Sequence, residues 1–387
     1  MTQSTARLQS TARSRFTGLG AVLATVLAGA LLALLVAAPV RAATKTRNVV
    51  LIVMDGLRWQ EMFAGADPTL LNEKYGGLWQ SEDELKGHYW NDDPTVRRSL
   101  LFPFIWKVVA KQGQVWGNQN LGSIGQVTNP YWFSYPGYSE MSIGWADTQI
   151  NSNDFAPNPN VNVFEWLNQR PGFEGKVAIF GSWHAYKNIF NIPRSHLYAM
   201  AGASLPPGPG KKSAREQLLR KLMRTTTTLE AGDVMDSFVQ EPLLDYVKSA
   251  HPRVLFVGYG ETDDWAHSGR YDLVLDSAHH ADAFTRELWD TMQSMKQYHN
   301  KTTFIITADH GRGSGLEQWK DHGVEEPGSE NIWIAVIGPD TAPAGEHHGG
   351  PAFHQAQIAA TISALVGEDF QAGHPKAAAP LPVLDAH

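Results

Sequence analysis

Five short apolar runs stand out along the chain: Asn48–Met54, Lys176–Phe180, Arg253–Tyr259, Thr302–Thr307 and Asn331–Ile337. Their hydrophobicity is continuous rather than alternating. A strand covered on both faces needs that pattern, so these runs predict buried parallel strands. Apolar positions recurring at helical spacing predict helices over Glu216–Arg224, Val234–Ala250, Asp276–Gln297 and Gln355–Val366. The stretch Ala201–Ser213 is rich in Gly, Pro and Lys and reads as a surface loop. The Ala- and Pro-rich stretch after Gly367 reads as a mobile tail. The fold class expected is α/β: a mostly parallel central sheet flanked by helices, with an inserted cap region over about 185–250.

The first forty-odd residues follow a different pattern. A polar stretch carrying Arg7, Arg13 and Arg15 leads into an apolar run from Leu19 to Val40, which ends at Val40-Arg41-Ala42. This is the layout of a signal peptide, or of an uncleaved membrane anchor, over residues 1–42. Either way the basic N-terminus stays cytoplasmic and the body, residues 43–387, is exported. The expected location is periplasmic or secreted, with anchoring to the inner membrane as the alternative.

Composition narrows the chemistry. The chain has 387 residues, 43% of them hydrophobic and 18% charged, which is a globular balance. The leader carries four arginines and no acid, so without it the formal charge falls from −7 to −11. Such a surface argues against binding nucleic-acid duplexes, yet bound cations can still attract an anionic substrate. There is no cysteine, which excludes disulfides, thiolate metal sites and a Cys nucleophile.

Three of the apolar runs end in polar clusters, and in open α/β sheets ligands gather beyond the carboxyl ends of strands. Asp55 follows the first, in Met54-Asp55-Gly56-Leu57-Arg58; taken alone it reads equally as a turn residue. Asp263 and His267 follow the third, and their spacing of four puts both on one face of a helical turn. Carboxylate plus imidazole suits zinc or another borderline divalent cation. Asp309 and His310 follow the fourth run and, at a strand-to-loop junction, can both turn toward one site. His322, in Asp321-His322-Gly323, offers a further imidazole. Ser134, in Phe133-Ser134-Tyr135-Pro136-Gly137-Tyr138, is a hydroxyl that needs a base or a metal to act as a nucleophile.

Taken together and in this order, these segments resemble the alkaline phosphatase superfamily, in its nucleotide pyrophosphatase/phosphodiesterase-like branch. The likeness runs from Asp55-Gly56-Leu57-Arg58 through Ser134-Tyr135-Pro136, Asp263-x-x-x-His267 and Asp309-His310-Gly311 to His322-Gly323. The resemblance implies two divalent cations, zinc or alternatively manganese. Asp263, His267 and His322 would hold one. Asp55, Asp309 and His310 would hold the other, with the Ser134 oxygen as its reactive ligand. His348 rivals His322 as the last ligand. A substrate-contacting Asn is implied about twenty residues past the nucleophile, where both Asn151 and Asn153 stand. Trp183 and His184, just after a strand end, are further candidates for substrate contact.

Two departures qualify the likeness. The diesterase branch continues with Asn-His after the Pro, where this chain has Gly137-Tyr138. Tyr138 also stands where sulfatases carry an Arg, which disfavours sulfatase chemistry. The resemblance therefore implies a phosphoric ester hydrolase acting on a small phosphorylated substrate through a phosphoserine. Diesters or nucleotide pyrophosphates come first and monoesters second. The alternatives are a phosphoglycerate-mutase-like isomerase and a non-catalytic metal-binding exported protein.

Overall fold

The computed structural model describes residues 44–206 and 213–383; the leader 1–42 and part of the Ala201–Ser213 loop lie outside the described residues. Among the described residues ten strands form in chain order: β1 (Asn48–Met54), β2 (Gln114–Trp116), β3 (Gly125–Gln126), β4 (Val177–Gly181), β5 (Tyr198–Ala201), β6 (Val254–Tyr259), β7 (Thr302–Thr307), β8 (Ile334–Ile337), β9 (Gly345–Glu346) and β10 (Phe353–His354). Eight make one sheet in the order β5-β4-β6-β1-β7-β8-β2-β9, and β3 pairs with β10 in a small second sheet.

The central strand β1 is fully covered from Val49 to Met54, as its unbroken hydrophobicity requires. Successive side chains feed opposite faces. Val50, Ile52 and Met54 pack with Val239, Leu243 and Leu275, from the helices Asp236–Ala250 and Tyr271–Ser294. Val49, Leu51 and Val53 pack with Met141, Phe164 and Ile362, from the helices Ser134–Ile143, Val163–Asn168 and Gln357–Leu365. The result is a sheet with a helical layer on each side.

The fifth run corrects the expectation of parallel pairing: β8 pairs antiparallel with both β7 and β2, while every other pairing in the sheet is parallel. A parallel strand needs a crossover to return to the starting edge. Between β7 and β8 the chain forms only one short 3-10 turn, Gln318–Lys320, so it re-enters the sheet at the end it left. Its segment 308–333 therefore stays over the carboxyl ends of the strands.

One further stretch departs from its expectation. Over residues 368–383 the tail is docked, with Phe370, Ala377, Leu381 and Val383 all buried. Within the span 185–250, β5 extends the sheet edge and Val239, Leu243 and Val247 enter the core.

Candidate metal centre

Pairing register brings the site together. Met54 lies opposite Tyr259 and Val53 opposite Thr307, so the segments after β1, β6 and β7 emerge at one level. Asp55 is then anchored on both backbone sides: its N–H donates to Tyr259 O at 2.9 Å, and its carbonyl accepts the Thr262 hydroxyl at 2.5 Å. Gly56 turns the chain at φ +58°, where a Cβ would lie 2.6 Å from Asp263 Oδ1. That turn aims the Gly56 N–H at Asp309 Oδ1, 3.0 Å away.

Ser134 opens the ten-residue helix Ser134–Ile143. The buried Glu140 fixes the preceding loop, accepting from the N–H groups of Thr128 and Asn129 and from Ala356 N. Gly137 lets the helix abut the β7 end, since a Cβ there would be 2.5 Å from Asp309 O. Ser134 Oγ reaches His310 Nε2 at 3.2 Å. The His310 Nδ1–H donates to Gly311 O at 2.8 Å, which leaves a lone pair on Nε2 in the neutral ring. That nitrogen is 3.4 Å from both Asp55 Oδ1 and Asp309 Oδ2.

Those two carboxylate oxygens are buried and have no hydrogen-bond partner. Burial, with the neighbouring charge of Asp263, raises the Asp55 pKa; burial and the charge of Asp55 hold Asp309 well above the usual carboxylate range. Burial works to lower His310, but Asp309 and Asp55 override it and raise it to about 9. A buried pocket with two bare carboxylate oxygens and an oriented imidazole is what a divalent cation would complete.

Architecture and centre can now be compared with known structures. The chain is similar to Ps i-CgsB, solved with k-i-k-neocarrahexaose, at TM-score 0.53 and 15% identity over 86% of this chain and 75% of that one. It is similar to the wild-type alkaline phosphatase PafA at TM-score 0.52 and 10% identity, over 89% and 99%. The alkaline phosphatase superfamily fold is the fold of this chain. The phosphonate monoester hydrolase of Agrobacterium radiobacter shares it at TM-score 0.50 and 11% identity, over 83% and 74%. The likeness is one of fold and does not single out a nucleotide pyrophosphatase/phosphodiesterase branch. No family model and no curated protein matches the sequence.

In this alkaline-phosphatase-like frame the second half of the centre lies beside the first. Asp263 and His267 share the short helix Glu261–His267, with Asp263 Oδ2 3.3 Å from His267 Nε2. His322 arrives from the β7–β8 segment and puts its Nε2 3.6 Å from Asp263 Oδ1 and 3.0 Å from His267 Nε2. Burial, and the charge of His310, hold His322 well below its usual range. Two imidazole nitrogens facing each other beside a carboxylate also fit a cation. His348 is exposed at the far sheet edge, next to His347, which stacks on Trp116. Of the two rivals, only His322 is brought to the centre.

Sequence reasoning missed Arg312. Its buried guanidinium is in contact with Asp263 Oδ1, and it donates to Trp319 O at 2.9 Å and to Lys320 O at 2.5 Å. It thereby ties Asp263 to the segment that delivers His322. Burial would raise the Asp263 pKa, but Arg312 and His267 win and hold it well below the usual range. The available signal was Arg312 itself, an arginine three residues after Asp309.

Both halves open into a cleft of about 600 Å³. Ser134, Asn153, Trp183 and His184 line it. Asn153 accepts the Tyr135 N–H at 2.9 Å, which orients its amide; Asn151 is exposed and does not line the cleft. His184 is held by Asp233, whose Oδ1 is 2.8 Å from its Nδ1.

Proposed function

We propose that this protein is a two-metal phosphoric ester hydrolase with Ser134 as its nucleophile. One observation carries the reading: a serine hydroxyl, an oriented imidazole and two bare, buried carboxylate oxygens converge in one pocket. Asp55, Asp309 and His310 would hold one divalent cation; Asp263, His267 and His322 would hold the other. Zinc suits these donors, and manganese is the alternative. When bound, such cations lower the pKa of a neighbouring hydroxyl and stabilise phosphoryl oxygens.

Ser134 Oγ gives up its proton to water and attacks phosphorus; the new Oγ–P bond forms as the bond to the leaving oxygen breaks, and that oxygen takes up a proton and departs as the alcohol. Water then breaks the Oγ–P bond, releasing the phosphoryl product and restoring the hydroxyl. The helix that starts at Ser134 aims its positive end at the charge that develops there. Asn153 is placed to donate its amide to a non-bridging oxygen.

Cleft charge favours diesters over monoesters. Beyond the proposed cation ligands, four acidic residues line it (Asp154, Glu230, Asp233 and Asp264), with no lysine or arginine among the lining residues. A monoanionic diester suits that field better than a dianionic monoester. An exported location, free or anchored at the membrane, belongs to the same proposal and rests on the leader alone.

The test compares zinc-loaded enzyme on bis-p-nitrophenyl phosphate, p-nitrophenyl phosphate and p-nitrophenyl sulfate. The diester should turn over fastest and the sulfate slowest. Ser134→Ala should lose on the order of 10⁴-fold in kcat while keeping its zinc. Full activity in that variant would remove the nucleophile assignment.

A further inference from the structure

Tyr138 stands where the diesterase pattern has His, and the mechanism above does not use it. It is fully buried, and its hydroxyl donates to Asp55 Oδ2 at 2.8 Å. Tyr186, equally buried, donates to the Tyr138 oxygen at 2.8 Å. The direction is forced. Ionised Asp55, the form that binds a cation, only accepts, so the single Tyr138 proton goes to Asp55 and the Tyr138 oxygen is left to accept.

The backbone of Asp55 is already held on both sides, by Tyr259 O and the Thr262 hydroxyl. With Oδ2 taken by Tyr138, the one buried atom of this side chain without a partner is Oδ1, which faces His310 Nε2.

The fold makes room for this pair. Gly181 on β4 and Gly258 on β6 are direct partners in the sheet register. A Cβ on Gly181 would lie 2.2 Å from the Tyr186 ring, and one on Gly258 would lie 2.3 Å from its hydroxyl. The two tyrosine rings meet edge-on at 5.0 Å, and both pack on Phe256.

We propose that Tyr186 and Tyr138 are positioning residues that pin Asp55 Oδ2 and so select Oδ1 as the cation donor beside Ser134. The proposal rests on reading Asp55 as a metal ligand. Without the relay, Oδ2 would be a second bare oxygen, and the carboxylate could turn between two arrangements. Groups of this kind, which orient a ligand without touching the metal, typically matter 10–100-fold for affinity.

The test titrates zinc alone against a chromophoric chelator, with the full chain. Wild type should hold two ions. Tyr138→Phe should weaken one of them by about 10–100-fold, and Tyr186→Phe by severalfold. The double variant should be no weaker than Tyr138→Phe, because the outer hydroxyl acts only through the inner one. Gly258→Ala, which displaces Tyr186 with its hydroxyl intact, should match Tyr186→Phe. Tyr298→Phe loses an equally buried hydroxyl bond, to Pro252 O at 2.8 Å, and should keep wild-type affinity. Unchanged zinc affinity in Tyr138→Phe, or an equal loss in Tyr298→Phe, overturns the relay and leaves the metal reading standing. A wild type that holds no zinc overturns both.

Discussion

Around Ser134, Asp55, Asp309 and His310 are sealed at the ends of β1 and β7, and the His310 side chain is 0% exposed. Beside them, Asp263, His267 and His322 stand on a short helix and a loop, and the His267 side chain is 42% exposed. The buried half faces two carboxylates toward each other with no arginine or lysine in contact. The outer half carries its own cation, Arg312, on Asp263. Buried like charges cost much unless they are paired or protonated. One half therefore balances its charge with protons or a bound ion, and the other is partly balanced by the chain itself. The buried half should bind its cation more tightly.

Removing a carboxylate from the buried half should have the largest effect. Asp309→Asn should lose at least about 100-fold in activity, since a direct ligand matters more than the groups behind it. In metal-free protein the same change should stabilise the fold, by about 1 kcal/mol or more, because one of two facing carboxylates is gone. Urea unfolding with and without zinc would measure both arms. A metal-free Asp309→Asn that is less stable than wild type would break the contrast.

Arg312→Met tests the outer half. Breaking a buried ion pair should destabilise metal-free protein by about 3 kcal/mol, read by the same unfolding. Zinc should then stabilise this variant more than it stabilises wild type. Equal stabilisation of the two would show that Arg312 does not stand in for cation charge.

The smallest expected effect is on pH dependence. Asp55, Asp309 and His310 have raised pKa values in the folded chain, so the metal-free fold holds protons that the unfolded chain has released. Their stabilisation is present at low pH and lost as pH rises: from about 4 upward for the acids, and from 6.5 through about 9 for His310. Asp263, lowered instead, contributes above its unfolded value and loses that contribution on acidification. Metal-free protein should therefore weaken between pH 6.5 and 9, while zinc-loaded protein should not. A flat metal-free profile over that window would contradict the charge assignment.

The same contrast divides what could be read from the chain. The buried half was legible because each of its acids directly follows an apolar run, as Asp55 follows Met54 and Asp309 follows Thr307-Ala308. A strand end and a polar cluster are both local features, so both show in the linear pattern. Asp263 and His267 were legible for a similar reason, since a spacing of four is a helical contact. Arg312 was not, because its partner Asp263 lies 49 residues away and no local period links them. Nor was the direction of β8, which follows from a missing crossover rather than from anything in its own residues.

What the sequence alone determined was burial and chemistry: which stretches must be covered on both faces, and which residues able to bind a cation come directly after them. Tertiary structure brought His322 rather than His348 to the centre, and Asn153 rather than Asn151 to the cleft. It also put Tyr186 behind Tyr138 through two glycines paired across β4 and β6. The reason is physical. Hydrophobic pattern and helical spacing act over a few residues, whereas the choice of partner depends on strand register and on the route of long connections, and those are set only when the whole sheet closes.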